Sequence, residues 1–414
     1  MEMDLEHGTS ATGHLSANEA AEELGISVAT LYAYVSRGLI RSEDAPGPSR
    51  ARRYRAEDVA ELRRRKELRH RPEEATAGAL AWGMPVLESA ITLIADGRLY
   101  YRGRDAGALA QESTVEDVAR LLWNDVLDDT AFSFGAALDA ATEPSLTTDQ
   151  PGDALVCAQA TLPLMAAGDP AAYDLSHAAL ERAGARIVRH ITSLVAGGSW
   201  SEAGVVATLL AGWELEEAAA ARLLNAALIL SADHELNVST FTVRCVASAG
   251  APLYAAIAAG LAAMQGARHG GATLQIEAVL AEIERPDDAA PALARRLRRG
   301  DPLPGLGHAL YPQGDPRGRS LFELLRAELP DSPAIGRATA VAEAAANLNG
   351  RQPTHDFALV VLCRALELPA GTALQLFALG RCLGWIAHSI EEYGRARLIR
   401  PRARYTGPTP QPTL

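Results

Sequence analysis

The sequence predicts a protein built almost wholly from α-helices and preceded by a small helix-turn-helix unit. Three observations predict it. Aromatic residues make up only 5% of the 414 while apolar residues make up 48%, so the core must be assembled mainly from Ala, Leu and Val, whose small side chains suit closely packed helices. Segment after segment carries apolar residues at three- and four-residue spacings, and strand-like alternation is scarce. A basic island, Arg50 to Lys66, stands near the beginning of a chain whose formal net charge is −12.

The opening residues, MEMDLEHGTS, are acidic and polar where an export signal needs a basic region followed by an apolar one, which points to a cytoplasmic protein. In "LSANEAAEELGISVATLYAYVSRGLI", Ala20, Leu24, Leu31, Tyr34 and Val35 keep helical spacing around Gly25. That reads as helix, tight turn, helix, with Ser16 and Ser27 as N-caps. "GPSRARRYRAEDVAELRRRKELRHR" then concentrates Arg50, Arg52, Arg53, Arg55, Arg63, Arg64, Arg65 and Lys66, and so many cations on an acidic protein call for an anionic partner. Residues 1–72 resemble the MerR-like winged helix-turn-helix domains: Gly38, Leu39 and Ile40 supply the turn, Arg52, Arg53, Tyr54 and Arg55 the wing, and Asp58 to Lys66 a further helix. The resemblance implies duplex DNA as a partner of residues 16–66. Arginines 52, 53 and 55 would pair with phosphates, and Thr30, Tyr32 and Arg37 would reach base edges. From the residues alone, a solvated basic helix or a docking arm stays open.

Residues 73–80, "EEATAGAL", read as a linker, since charge and small residues replace the periodic pattern. Beyond it, "TVEDVARLLWNDVL", "LERAGARIVRHITSLVA", "SEAGVVATLLAGW" and "ALVVLCRALEL" read as helices, while "ITLIADGRLYYRG" reads as a short hairpin turning at Asp96-Gly97. Cys245 to Ala267 carries no charge and is long enough to cross a bilayer. Its Ala and Gly content, with Ser248, Pro252 and Gln265, instead suggests one buried helix of a protein with no membrane segment. The four cysteines, Cys157, Cys245, Cys363 and Cys382, lie far apart without CxxC spacing, so neither a disulfide framework nor a zinc site is expected. No glycine-rich phosphate cradle supports a nucleotide-driven reaction.

Polar residues interrupt this helical pattern at a few places. "ADHELNVSTFTVR" puts Asp233, His234, Glu235 and Asn237 directly after the apolar LLNAALIL, where a helix terminus and its cap would account for them. "GARHGGATLQ" holds His269, "PGLGHALYPQGDPRG" holds His308 and Arg317, "QPTHDFALVV" holds Asp356, "FALGRCLGWIAH" holds Arg381 and "RPRARYTG" holds Arg400. Singly, these are turn histidines, an N-cap at Asp356, and arginines paired with Glu391 and Glu392. Together they supply imidazoles, a carboxylate and guanidiniums, the set needed to enolise a carbon acid beside a polyanionic acceptor.

At this point residues 84–408 resemble the citrate synthase family through the ordered words "GRLYYRGRD", "VEDVARLLW", "ADHELNVSTFTVR", "HGGA", "GLGHALYPQGDPR", "DFALVVL", "FALGRCLGWIAHSIEE" and "IRPRARYTG". The resemblance implies an all-α homodimer, with a large domain of residues 81–267 and 353–414 and a small domain of residues 268–352. It implies condensation of oxaloacetate with an acyl-CoA, acetyl-CoA or, for a 2-methylcitrate synthase, propionyl-CoA, with no metal and no cofactor beyond that substrate. Asp356 would remove the α-proton of the thioester, His269 would stabilise the enol, and His308 would polarise the attacked carbonyl. His234, Arg317, Arg381 and Arg400 would bind oxaloacetate, Arg400 in the partner subunit's site, with Asp233 and Glu235 orienting His234. Three departures stand out: Arg268 and Thr273 replace the family's usual Leu and Asn around HGGA, His355 precedes the base where Val is usual, and Asp128 to Gly198 is shortened. The basic island also keeps a second reading open, a transcription regulator whose synthase body senses oxaloacetate or acyl-CoA.

Overall fold

A computed structural model of the chain describes residues 14–36, 40–44, 52–56, 58–59, 62–63, 87–127, 134, 154–403 and 405–409. The linker expected at 73–80 lies outside them, as do Arg37, Arg50, Arg64, Arg65 and Lys66. Contacts divide the chain into two units, Met1–Glu88 and Ser89–Leu414.

In the first unit, β1 (His14–Leu15) leads into α1 (Ala17–Glu23), α2 (Val28–Ser36), β2 (Ser42–Asp44) and β3 (Arg52–Arg55). Ser16 opens α1 with a full capping box, its hydroxyl accepting the Glu19 N–H and its own N–H donated to the Glu19 carboxylate. Ser27 accepts the Thr30 N–H at 3.2 Å, and Gly25 turns between the helices at φ +59°. The strands form an antiparallel sheet in the order β1-β3-β2, closed over a small core of Ala20, Ala21, Leu24, Leu31, Ile40, Tyr54 and Val59.

The second unit begins with the expected hairpin, β4 (Thr92–Ala95) and β5 (Arg98–Tyr101), to which β6 (Arg104–Asp105) adds a third strand. Asp96 and Gly97 both take positive φ, the backbone a two-residue turn demands. Helices follow: α3 (Ala106–Glu112), α4 (Val115–Asn124), α5 (Ala154–Gly168), α6 (His177–Ala196), α7 (Val205–Gly212) and α8 (Ala218–Ser231). Then come α9 (Val238–Ser248), α10 (Leu253–Met264), α11 (Ala272–Ala281), α12 (Ala289–Arg299), α13 (Pro316–Glu328), α14 (Pro333–Asn349), α15 (His355–Ala365) and α16 (Thr372–Arg395). The single helix expected over Cys245–Ala267 is instead two. Gly250 at φ +75° and Pro252, which has no N–H for an inward hydrogen bond, break it between α9 and α10.

Helix α16 is buried along most of its length, and two glycines set where it crosses α8. A Cβ on Gly380 would lie 2.6 Å from the Leu228 carbonyl oxygen, and one on Gly384 would collide with the Ala232 carbonyl, so only glycine permits the contact. The Gly384 N–H in turn donates to the Ala232 carbonyl at 3.1 Å. This close approach lays Arg381 against the end of α8. Glu391 and Glu392, the partners considered for Arg381 and Arg400, are instead engaged by Arg244 of α9, at 3.3 Å and 2.6 Å. Among the described residues, no helix is long and apolar enough to cross a membrane.

Candidate active site

The polar group after α8 is built from both sides. The Tyr101 hydroxyl of the hairpin donates to the Ile229 carbonyl at 3.0 Å and accepts the Asp233 N–H at 3.2 Å, so it serves the end of α8 where Asp233, His234, Glu235 and Asn237 were expected to form the terminus and its cap. Asn237 caps the next helix, accepting the Thr240 N–H at 3.1 Å, and Glu235 takes the Ile94 N–H of the hairpin at 3.1 Å. Asp233 is fully buried. Burial alone would raise its carboxyl, but His388, 3.2 Å away, helps to hold it below the usual range. Between these anchors His234 is presented inward, its Nε2 3.0 Å from the Tyr311 hydroxyl.

His308 stands in a loop shaped by Gly305, Gly307 and Gly314, all at positive φ. The Gly307 N–H donates to the Gln352 carbonyl at 2.7 Å and the Thr354 N–H to the Gly305 carbonyl at 2.9 Å, which stitches the loop to the start of α15. The rings of His234 and His308 meet edge to face at 5.4 Å, and Tyr311 packs on both. His308 Nδ1 accepts the Leu310 N–H at 3.2 Å, so the neutral ring carries its proton on Nε2. Burial, then Arg317, lowers the basicity of His308, and burial lowers that of His234 further.

Asp315 caps α13 and grips Arg317 through two oxygens, at 3.0 Å to Nε and 2.8 Å to Nη2. It also accepts the His355 N–H at 3.1 Å. Burial would raise the Asp315 carboxyl, but Arg317 holds it well below the carboxylate range, and Arg317 is correspondingly pushed above its ordinary value. The N-cap of α15 is Thr354, not Asp356, because Thr354 accepts the Phe357 N–H. Asp356 is therefore free of a capping role and stands at the second helical position. Burial raises the Asp356 carboxyl, and Arg317 opposes the rise.

Arg381 is 1% exposed. Its Nε donates to the Ser231 carbonyl at 2.8 Å, and its guanidinium lies 5.0 Å from the Phe377 ring. Nη1 and Nη2 have no hydrogen-bond partner among the described residues. Burial pulls its basicity down to about 10. Half-buried His269 also meets the Phe377 ring, edge to face at 6.3 Å, and its Nε2 is 2.8 Å from the Ser239 hydroxyl. Burial and then Arg381 bring His269 down to about 4, so it is neutral near pH 7. Gly270 and Gly271 let this turn fold onto the backbone of Met264 and Gln265.

The structure thus links the expected residues in a chain: His234 and His308 meet edge to face, the charges of Arg317 and Arg381 act on His234 and Asp356, and that of Arg381 acts on His269. Arg400 is exposed and makes no hydrogen bond or ion pair among the described residues. Sequence reasoning missed Tyr311, Asp315 and Ser239 as members of this site. The Asp-Pro-Arg word could have shown Asp315 as an N-cap ahead of a first-turn proline. In the first unit, Tyr32 is 54% exposed on α2 and Thr30 is half-buried, bonded to Ser27 at 2.9 Å. Arg52 is exposed, and Arg53 and Arg55 both reach Glu43, at 3.2 Å and 3.1 Å.

Compared with known proteins, residues 79–402 match the family model "Citrate synthase, C-terminal domain", and residues 15–71 match "MerR HTH family regulatory protein". Citrate synthase 2 of Bacillus subtilis (strain 168) is 30% identical over 358 residues, covering 80% of this chain and 95% of that protein. The crystal structure of citrate synthase from Thermotoga maritima is 27% identical, with a TM-score of 0.65 over 80% of this chain and 96% of that one. The citrate synthase of Thermoplasma acidophilum, solved with carboxymethyl coenzyme A and oxaloacetate, shares the fold at 24% identity. Its TM-score is 0.68 over 80% of this chain and 96% of that one.

Proposed function

The chain belongs to the citrate synthase family, as a transferase of that type with a MerR helix-turn-helix domain at its N-terminus, and from that premise we propose that it condenses oxaloacetate with acetyl-CoA or propionyl-CoA. The reaction class uses the thioester as substrate and needs no further cofactor. The observation that carries the reading is the buried Arg381 guanidinium, with two nitrogens lacking hydrogen-bond partners among the described residues, within electrostatic reach of a carboxyl that burial keeps basic. A buried cation with open donors suits a carboxylate ligand, and a desolvated carboxylate suits removal of a weakly acidic proton.

In this reading Arg381, Arg317 and His234 hold the carboxylates of oxaloacetate, and Arg400 reaches the partner subunit's site. His308 donates its Nε2–H to the ketone oxygen. Asp356 takes the α-proton of the thioester while His269 hydrogen-bonds the thioester oxygen. The Ser239 hydroxyl supports this, because it can turn its proton from Asn237 Oδ1 to His269 Nε2 and leave an Nδ1–H as donor. The enolate carbon bonds to the ketone carbon, and water then cleaves the thioester, releasing CoA as a thiol and citrate or 2-methylcitrate. The small domain of residues 268–352 carries His269, His308 and Arg317 toward a large domain that carries the rest. A homodimer is supported by α5, which leaves Val156 and Leu164 more than half exposed on an almost uniformly apolar helix. No disulfide joins the four cysteines, all of which are among the described residues, and this suits a reducing cytoplasm.

The test is thiol release from purified protein with oxaloacetate plus either acyl-CoA. The acyl chain giving the higher kcat/KM is the substrate, and silence with both overturns the proposal. The MerR domain favours a second, compatible role: duplex DNA binding through Thr30, Tyr32 and the arginines, with oxaloacetate or acyl-CoA as the sensed ligand. Arg53 and Arg55 must exchange Glu43 for phosphate in that role. Gel shifts should weaken steeply with salt and vanish on truncation up to Arg71, while thiol release persists. A full-length protein that ignores DNA at low salt removes this role.

A further inference from the structure

His355 is a buried imidazole that the chemistry above does not use, and its contacts run to both arginines of the candidate site. Its backbone N–H donates to Asp315 Oδ2 at 3.1 Å, and Asp315 is the carboxylate that grips Arg317. Its Nε2 lies 2.7 Å from the Ser231 hydroxyl. That hydroxyl spends its own proton on the Ala227 carbonyl at 2.7 Å, so it accepts from His355. The Ser231 carbonyl is the acceptor that fixes Arg381 Nε. The ring also packs edge-on against Phe377 at 5.7 Å, and Phe377 carries Arg381 and His269 on its other contacts. The next residue in the chain is Asp356.

We infer that His355 is a positioning residue, the joint through which α15 holds the base Asp356 in register with Arg317 on α13 and Arg381 on α16. A glycine supports the same joint: a Cβ on Gly318 would lie 2.6 Å from the Thr354 carbonyl carbon, so α13 and the start of α15 touch backbone to backbone. Full burial keeps the ring neutral, which suits a fixed donor and removes it from proton transfer. Valine at this position fills part of the space but donates nothing, so the Ser231 hydroxyl keeps the Ala227 carbonyl but loses its donor, and the end of α8, with Arg381 upon it, loses one of the contacts that fix it.

This inference rests on the condensation reading, and the experiment separates the two. The full chain is assayed first with oxaloacetate and acyl-CoA; no thiol release there overturns the reaction, and the variants are then compared by calorimetric Kd for oxaloacetate instead of KM. His355→Val should raise the oxaloacetate KM or Kd about fivefold to tenfold, the worth of one lost buried hydrogen bond. Its kcat should fall as well, while the KM for acyl-CoA changes by less than about twofold. His355→Gln, which can place an N–H where Nε2 stands, should recover most of the loss. Ser231→Ala should reproduce the valine phenotype, and the double variant should be no worse than the poorer single one. The inference is overturned if His355→Val behaves as wild type, if Gln and Val are equally impaired, or if the His355→Val and Ser231→Ala effects multiply.

Discussion

Replacing Arg381 with Leu should separate binding from stability in a way few substitutions do. In the ligand-free protein the guanidinium is an expensive group: burial lowers its basicity from the ordinary arginine value to about 10, a cost on the order of 3 kcal/mol at about 1.4 kcal/mol per tenfold. Leucine removes that cost. Against it stand the Ser231 carbonyl left without its donor, about 1–3 kcal/mol, and the lost stacking on Phe377, about 1–2 kcal/mol. These nearly cancel, so the unliganded melting temperature should move by only a few degrees. Oxaloacetate binding does not cancel. The two guanidinium nitrogens that lack partners among the described residues would each give a charge-assisted hydrogen bond worth about 1.5–3 kcal/mol, and losing both weakens affinity by roughly a hundredfold or more. Calorimetric titration with oxaloacetate reads the affinity, and thermal unfolding with and without oxaloacetate reads both quantities, since wild type should be stabilised by ligand and the variant should not. Unchanged affinity, or a fold that collapses without ligand, would refute the reasoning and make Arg381 a structural cation.

Asp356→Asn should nearly abolish thiol release while oxaloacetate still binds. Because the folded-state value of Asp356 is raised, the ionised carboxylate costs stability at neutral pH, and the stability its protonated form contributes is lost as pH rises through that value. The asparagine variant should therefore melt higher than wild type near pH 7. For the same reason kcat/KM for the thioester in wild type should fall with acid along a limb centred above 3.8, checked by a pH–rate profile. Gly384→Ala should destabilise the second unit by about 1–3 kcal/mol, read by denaturant titration, because the new methyl meets the Ala232 carbonyl and the Asp233 side chain. By displacing His234 it should also raise the oxaloacetate KM.

By itself the sequence determined what is written in short-range pattern. Apolar spacing gave the helices, Asp96-Gly97 the hairpin, and Ser16, Ser27 and Asn237 cap their helices because a short oxygen-bearing side chain can reach an N–H two or three residues ahead. The types of the site residues were legible too, since a histidine beside two glycines or an arginine in an apolar helix has few local reasons to be there. The uncharged run over Cys245–Ala267 misled where the Gly-Ala-Pro break was outweighed by composition. Tertiary structure alone decided the pairings. Arg244 takes Glu391 and Glu392, the latter 148 residues away, which leaves Arg381 without a carboxylate partner among the described residues. Tyr101 reaches across 132 residues to the end of α8, and His355 crosses 124 to Ser231. Such contacts depend on where α8, α15 and α16 cross, and the crossing is set by the summed burial of many small side chains and by two glycines that admit a backbone. No local window of sequence carries that sum, so the residue types could be read in advance, while the partner that each buried charge would find could not.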